Sequence, residues 1–204
     1  MVVVVDYRAG NLYNVGHALK YLGVEFVSSD SATVINSASQ VILPGVGSAQ
    51  AAMDSLSKKG LVKVLRKLRV PFLGICLGLQ LLFETSEEEQ TSCLGVFPGT
   101  VRKFDKNQVK VPHVGWNQIS LVSPRRKAHD ILFRNILEGE YFYFIHSYFA
   151  PLQSGVTLTS TQNGSVFASA VAKDNYWGVQ FHPERSGGVG LRLLENFLKL
   201  SGSC

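Results

Sequence analysis

Cysteine is scarce in this chain: 204 residues contain three, Cys76, Cys93 and Cys204. An odd count with no CxxC pair excludes a disulfide framework and a cysteine zinc site, and it fits a reducing, cytoplasmic setting. Cys93 reads as a packed core thiol and Cys204 as part of a fraying terminus. Long apolar runs are missing too. Val2 to Val5 is far too short for a signal-peptide core or a membrane span, and nothing else in the chain comes closer, so no membrane role is expected. Internal repeats, low-complexity tracts and linkers are absent, which leaves residues 1–204 as one domain. Charged residues are only 17% against 46% hydrophobic, which excludes disorder and allows one full core. The net charge of +5 is scattered. Its densest run, Lys58, Lys59, Lys63, Arg66, Lys67 and Arg69, alternates with Leu61, Val62, Val64, Leu65 and Leu68, which predicts an amphipathic helix with a solvated basic face. No aromatics interleave with the base, so nucleic acid is not an expected partner.

What is present centres on Val70 to Phe83, VPFLGICLGLQLLF. Val70 to Leu73 suits a strand buried on both faces, and from Leu77 the spacing of Leu79, Leu81, Leu82 and Phe83 predicts a helix. Cys76 therefore sits on a strand-to-helix turn. Gly74 and Gly78, two residues either side, remove side chains that would clash and leave one nucleophile raised at the carboxyl end of a sheet. A helix starting at Leu77 would favour a thiolate and offer N–H groups to an oxyanion.

Before this elbow the chain alternates. Val2 to Val5, Glu25 to Ser28 and Val41 to Leu43 read as strands. A turn at Arg8, Ala9, Gly10 and Asn11 leads to a helix carrying Leu12, Val15, Ala18, Leu19 and Leu22. Pro44, Gly45, Val46 and Gly47 lead to another through Ala49, Ala52, Met53 and Leu56. That alternation predicts an α/β fold whose mostly parallel central sheet is flanked by helices, with ligands at the carboxyl ends of the strands. From about Leu94 strands follow one another: Trp116 to Val122, Tyr141 to Phe149, Val156 to Thr161, Phe167 to Ala172 and Trp177 to Phe181. This half is expected to be mainly antiparallel, closed by a helix over Val189 to Leu200.

A second cluster follows the last strand. His182 and Glu184 in FHPE lie two apart on an extended chain and share one face, with Pro183 between them. That arrangement suits a base with an orienting carboxylate: His182 takes the proton of Cys76, and Glu184 fixes the imidazole tautomer. An oxyanion hole needs two donors. The N–H of Leu77 is one, and the Gly45, Val46, Gly47 loop, where small residues let a peptide rotate, can supply the other.

With GICLGLQ, LPGVG and FHPE in order from Val2 to about Leu200, the chain resembles class I glutamine amidotransferases, a flavodoxin-like α/β family with a Cys, His, Glu triad. DYxxGN at Asp6, PGVG at Pro44, KVPHVGWN at Lys110 and YFYFIHSY at Tyr141 narrow the resemblance to the glutaminase subunits of imidazole glycerol phosphate synthase. The resemblance implies Cys76 as nucleophile, His182 as base and Glu184 as its partner. It implies Gln80 and Glu88 as holders of the glutamine head group, with the backbone of Gly45, Ser147 and Tyr148 lining the pocket. It places Asn11, Asn14, His113, Trp116 and Tyr143 against a separate (β/α)8 cyclase in a heterodimer, and implies no cofactor and no metal. Family members commonly carry Lys after HPE; here it is Arg185, at the same interface. Glutaminase subunits of pyridoxal phosphate, anthranilate or aminobenzoate synthesis are the nearest alternatives, but they usually carry GGES-type or PGPG-type sequences where PGVG stands. A non-catalytic binding domain on the same scaffold would not need the three triad residues.

Overall fold

The structure is a computed structural model that describes residues 1–7, 11–122 and 131–200. The turn expected at Arg8 to Gly10, and Cys204, lie outside the described residues. The first half alternates: β1 (Val2–Val5), α1 (Leu12–Tyr21), β2 (Phe26–Ser29), α2 (Ala32–Asn36), β3 (Gln40–Gly45), α3 (Ala49–Lys58), α4 (Leu61–Leu65), β4 (Phe72–Cys76) and α5 (Leu77–Gln80). Strands dominate the second half: β5 (Phe83–Ser86), β6 (Thr91–Ser92), β7 (Phe97–Lys103), β8 (His113–Gln118), β9 (Ser120–Leu121), β10 (Tyr141–His146), β11 (Tyr148–Phe149), β12 (Thr157–Asn163), β13 (Ser165–Lys173) and β14 (Tyr176–Val179). Helix α6 (Gly187–Leu198) follows them.

Among the described residues the main sheet has eight strands in the order β2-β1-β3-β4-β14-β13-β12-β9. From β2 to β14 every pairing is parallel, and from β14 outward every pairing is antiparallel. Alternation along β1 explains how both faces are covered. Val3 and Val5 pack into one cluster with Leu56, Leu61 and Leu65 of α3 and α4, while Val2 and Val4 join Val15 and Leu19 of α1 and Leu194 and Phe197 of α6.

Three expectations need correcting. The helix after the elbow is a single turn, because Phe83 already begins β5, which pairs with β7. Leu81 and Leu82 are fully buried, so the apolar run that looked helical is a chain entering the core. The later strands divide among sheets: among the described residues β10 pairs with β8 alone, and β11, β7, β5 and β6 form a separate sheet. The expected strand from Tyr141 to Phe149 therefore bends at Ser147 and serves two sheets. The basic run divides as well. Gly60, at φ +68°, separates α3 from α4, but Lys58, Lys63, Arg66, Lys67 and Arg69 all face solvent while Leu61, Leu65 and Leu68 are buried. No helix among the described residues is long and apolar enough to cross a membrane.

Candidate active site

Three parallel neighbours, β3, β4 and β14, end at the same edge of the sheet, with Gly45 opposite Cys76 and Val179 opposite Ile75. Topology thus gathers the PGVG loop, the elbow and the FHPE segment although they are far apart in sequence. At the elbow Cys76 has φ 54° and ψ −108°, a conformation a side chain rarely adopts and one that tight packing must hold in place. The packing is visible at the flanking glycines. A Cβ on Gly78 would lie 1.9 Å from the Leu43 carbonyl oxygen, and one on Gly74 would lie 2.5 Å from the Gly78 oxygen. Gly45 is needed for the same reason, since its Cβ would meet Leu77 at 2.6 Å.

A cavity of about 310 Å³, at the small-molecule end of pocket sizes, opens above the elbow. Cys76, Leu77, Gln80, Val46, Gly47, Glu88, Ser147, Tyr148 and His182 line it, together with Pro112, Ile145 and His146. Gly45 does not line it; it packs beneath Leu77 and lets the elbow approach β3. Gly47, at φ +93°, occupies the left-handed region open to glycine.

His182 Nδ1 and Glu184 Oε1 are 2.7 Å apart, and both side chains are almost wholly buried. His182 Nε2 and Glu184 Oε2 have no hydrogen-bond partner among the described residues. Burial by itself disfavours the imidazolium; the facing Cys76 sulfur and then the Glu184 carboxylate outweigh it and push the His182 pKa up to about 10. The Cys76 thiol lies 3.8 Å from the Ile145 carbonyl oxygen, and the Gln180 amide nitrogen lies 3.7 Å from the sulfur. Strand β10 also braces the histidine: His182 N–H donates to the Tyr143 carbonyl, and the Tyr143 N–H donates to Ser186 Oγ.

Glu88 separates from its neighbours. Glu87 and Glu89 face solvent, whereas Glu88 is half-buried, lines the cavity and accepts the Ala49 N–H at 2.7 Å through Oε2. Gln80 Nε2 donates to the Tyr148 carbonyl at 2.8 Å and to Gln180 Oε1 at 3.1 Å. Its nitrogen is thus already committed to the pocket wall.

His146 and Gln180 are the site residues that sequence reasoning missed. His146 is buried, and its Nδ1 faces the Tyr148 carbonyl at 2.8 Å. A carbonyl only accepts, so that nitrogen carries the proton and Nε2 accepts from His113 Nδ1 at 3.1 Å. His113 Nε2 in turn accepts from Asn117 Nδ2 at 3.2 Å. Burial, together with the neighbouring imidazoles, lowers the His146 pKa to about 3 despite the Tyr148 contact. In the sequence His146 stood in an aromatic stretch that gave no sign of which neighbours it would meet. Gln180 did leave a signal: it shares the alternation of His182 along an extended chain.

Beside the cavity, which Ile145 lines, β8 and β10 present paired side chains, Val114 opposite Ile145, Trp116 opposite Tyr143 and Gln118 opposite Tyr141, all exposed except the half-buried Tyr143. The Arg185 guanidinium lies over the Tyr143 ring at 4.2 Å, a contact suited to a planar cation. Helix α1, capped by Asn11 through the Asn14 N–H, packs beside the Pro183–Arg185 turn. His113 departs from the expected set. It is on the inner face of β8 and buried, so its ring cannot form part of the exposed face.

The chain matches the class-I glutamine amidotransferase family model over residues 3–200. It is 44% identical to imidazole glycerol phosphate synthase subunit HisH of Photorhabdus laumondii, over 98% of this chain and 99% of that one. The subunit of the same name from Bacteroides fragilis is 43% identical, and that from Buchnera aphidicola 40%, each over 98% of this chain and 99% of the relative. A crystal structure of a glutamine amidotransferase superposes with TM-score 0.74 at 22% identity, covering 100% of both chains. The structure of PurLQS from Thermotoga maritima superposes with TM-score 0.68 at 21% identity, over 97% of this chain and 96% of that one. At those identities the structural likeness speaks for the fold, and the sequence relatives carry the finer placement: this chain belongs to the class-I glutamine amidotransferases, on the branch of the imidazole glycerol phosphate synthase HisH subunits.

Proposed function

We propose that this chain hydrolyses glutamine and hands the ammonia to a separate cyclase subunit of imidazole glycerol phosphate synthase. The observation that carries the reading is the meeting of Cys76 and His182 in one cavity of small-molecule size, with Glu184 hydrogen-bonded to the imidazole. The Cys76 thiolate attacks the side-chain amide carbon, and the oxyanion meets the Leu77 N–H and a rotated peptide of the Gly45–Gly47 loop. As the C–N bond breaks, His182 gives its proton to the leaving nitrogen and ammonia departs from a thioester. Water, deprotonated by the same imidazole, attacks the thioester and releases glutamate. Glu184 holds the imidazole in one tautomer throughout. Glu88 is positioned for the α-ammonium of glutamine, and Gln80, Ser147 and Tyr148 form the wall beside it.

Ammonia protonated in bulk water is no longer a nucleophile, so it must pass directly to a second site. The ladder of exposed Val114, Ile145 and Trp116 and half-buried Tyr143, with Arg185, Asn11 and Asn14 beside it, supports docking of the cyclase there, in a cytoplasmic heterodimer with a (β/α)8 partner. The edge of β10 not paired with β8 reaches the site, because the backbone carbonyls of the same Ile145 and Tyr143 contact Cys76 and His182. Docking is therefore read as completing the oxyanion hole.

Glutamate release is to be measured for the chain alone, with the cyclase, and with the cyclase plus its ribotide ligand. Near silence alone and full turnover only in the liganded complex is expected. Full activity of the lone chain overturns the gating, and hydrolysis by Cys76→Ala overturns the reaction assignment.

A further inference from the structure

Gln180 is fully buried, and its backbone N–H is already used by the Ser169 carbonyl at 2.9 Å, so the side-chain amide needs its own account. The two ends of a glutamine amide have the same shape, and their partners decide which is which. Here a backbone carbonyl decides. Tyr148 C=O can only accept, so the end of Gln80 at 2.8 Å from it is the NH₂. That same nitrogen is 3.1 Å from the nearer end of Gln180, which must therefore be its oxygen. The NH₂ of Gln180 is left pointing the other way, 3.7 Å from Cys76 Sγ.

We infer that Gln180 is a catalytic residue whose side-chain N–H donates to the Cys76 sulfur, with its polarity imposed two hydrogen bonds away by the Tyr148 carbonyl. The inference rests on the reading of Cys76 as nucleophile. A thiol sulfur is a weak acceptor and a thiolate a strong one, so a fixed donor favours the charged form. The donor acts at two moments. Before attack it helps hold the thiolate. In the second half-reaction water, losing its proton to His182, attacks the thioester carbonyl; the C–S bond then breaks, and its electron pair goes to the sulfur that Gln180 faces. The acyl-enzyme sulfur between these moments is uncharged, so the contact is strongest where charge appears.

The test replaces the donor without emptying the space. Gln180→Met keeps comparable volume and removes the N–H, and Gln180→Glu keeps the shape without a fixed donor. The rate of Cys76 alkylation by iodoacetamide is followed against pH in the chain and in its complex with the cyclase, alongside glutaminase kinetics of the complex. For Gln180→Met the rising limb of the alkylation profile is expected to move up by about one pH unit, which is about a tenfold loss of thiolate on that limb. The kcat should fall roughly tenfold with KM changed less than about threefold. If Gln180→Met fails to fold, Gln180→Glu carries the test and should move the limb further, because a carboxylate repels a thiolate. A profile superimposable on that of the wild type, whatever happens to thermal stability, reduces Gln180 to a structural brace of Gln80. Failure of the nucleophile reading looks different: iodoacetamide would leave Cys76 unlabelled in the wild type, or Cys76→Ala would still release glutamate.

Discussion

Acidification should destabilise this fold through His146 in particular. The ring is buried among Phe104, Phe144 and Phe167, with centroids at 5.4, 5.8 and 5.2 Å, and both nitrogens are committed. Nδ1–H donates to the Tyr148 carbonyl, and Nε2 accepts from His113, so a second proton would point at a donor. The folded ring therefore resists protonation down to about pH 3, whereas its ordinary value is 6.5. A depressed folded value gives stability that is present above the unfolded pKa and lost as pH falls toward the folded one. At about pH 5 the unfolded ring is largely charged and the folded ring is not, which amounts to roughly 2 kcal/mol, at about 1.4 kcal/mol per pH unit. His113, lowered by its own burial, acts in the same direction. Urea unfolding at about pH 7.5 and about pH 5 measures the effect, with His146→Gln as the reference that removes the titrating group and keeps a donor for Tyr148. The wild type should lose about 2 kcal/mol more than the variant over that interval. Equal losses, or a His146 NMR resonance that titrates near pH 6, would refute the reasoning.

The remaining predictions concern packing, docking and the catalytic pair. Gly78→Ala puts a methyl carbon 1.9 Å from the Leu43 oxygen, between two backbone segments with no side chain to move, and should cost about 3 kcal/mol or more in chemical unfolding. Trp116→Ala should leave thermal stability within about 0.5 kcal/mol, since the ring is 55% exposed, yet weaken cyclase binding about 30-fold by calorimetry. The His182 imidazolium, with its pKa raised to about 10, contributes stability that is complete below about pH 6.5 and lost as pH rises toward 10. The Tm gap between the wild type and His182→Gln should narrow over that window, and a gap that widens would reverse the sign.

Periodicity and glycine placement carried much of this molecule. Val2 to Val5, the GICLG elbow and the LPGVG loop announced parallel strands ending in turns, because a strand covered by helices on both faces must be continuously apolar and a close backbone approach tolerates only hydrogen at Cα. His182 and Glu184 were legible as a pair because they are near in sequence, and short-range alternation is a property of the chain itself. Beyond the meeting of Cys76, the Gly45–Gly47 loop and His182, which their chemistry suggested, what depended on distant segments packing together was hidden. The single-turn α5 defeated a helical reading because buried leucines look alike in either structure, and only the partner strand β7 decided that Phe83 extends. The bend at Ser147 was equally unreadable, since it arises where β10 and β11 are claimed by different sheets. His113 carried the same letters whether it faced outward or inward, and the register of β8 against β10 turned it inward onto His146. The linear chain thus determined which residues have chemistry to offer and which segments extend or coil. Tertiary structure decided which polar atoms are partnered and which way each amide and imidazole points, because hydrogen-bond direction is set by neighbours that only folding brings within 3 or 4 Å.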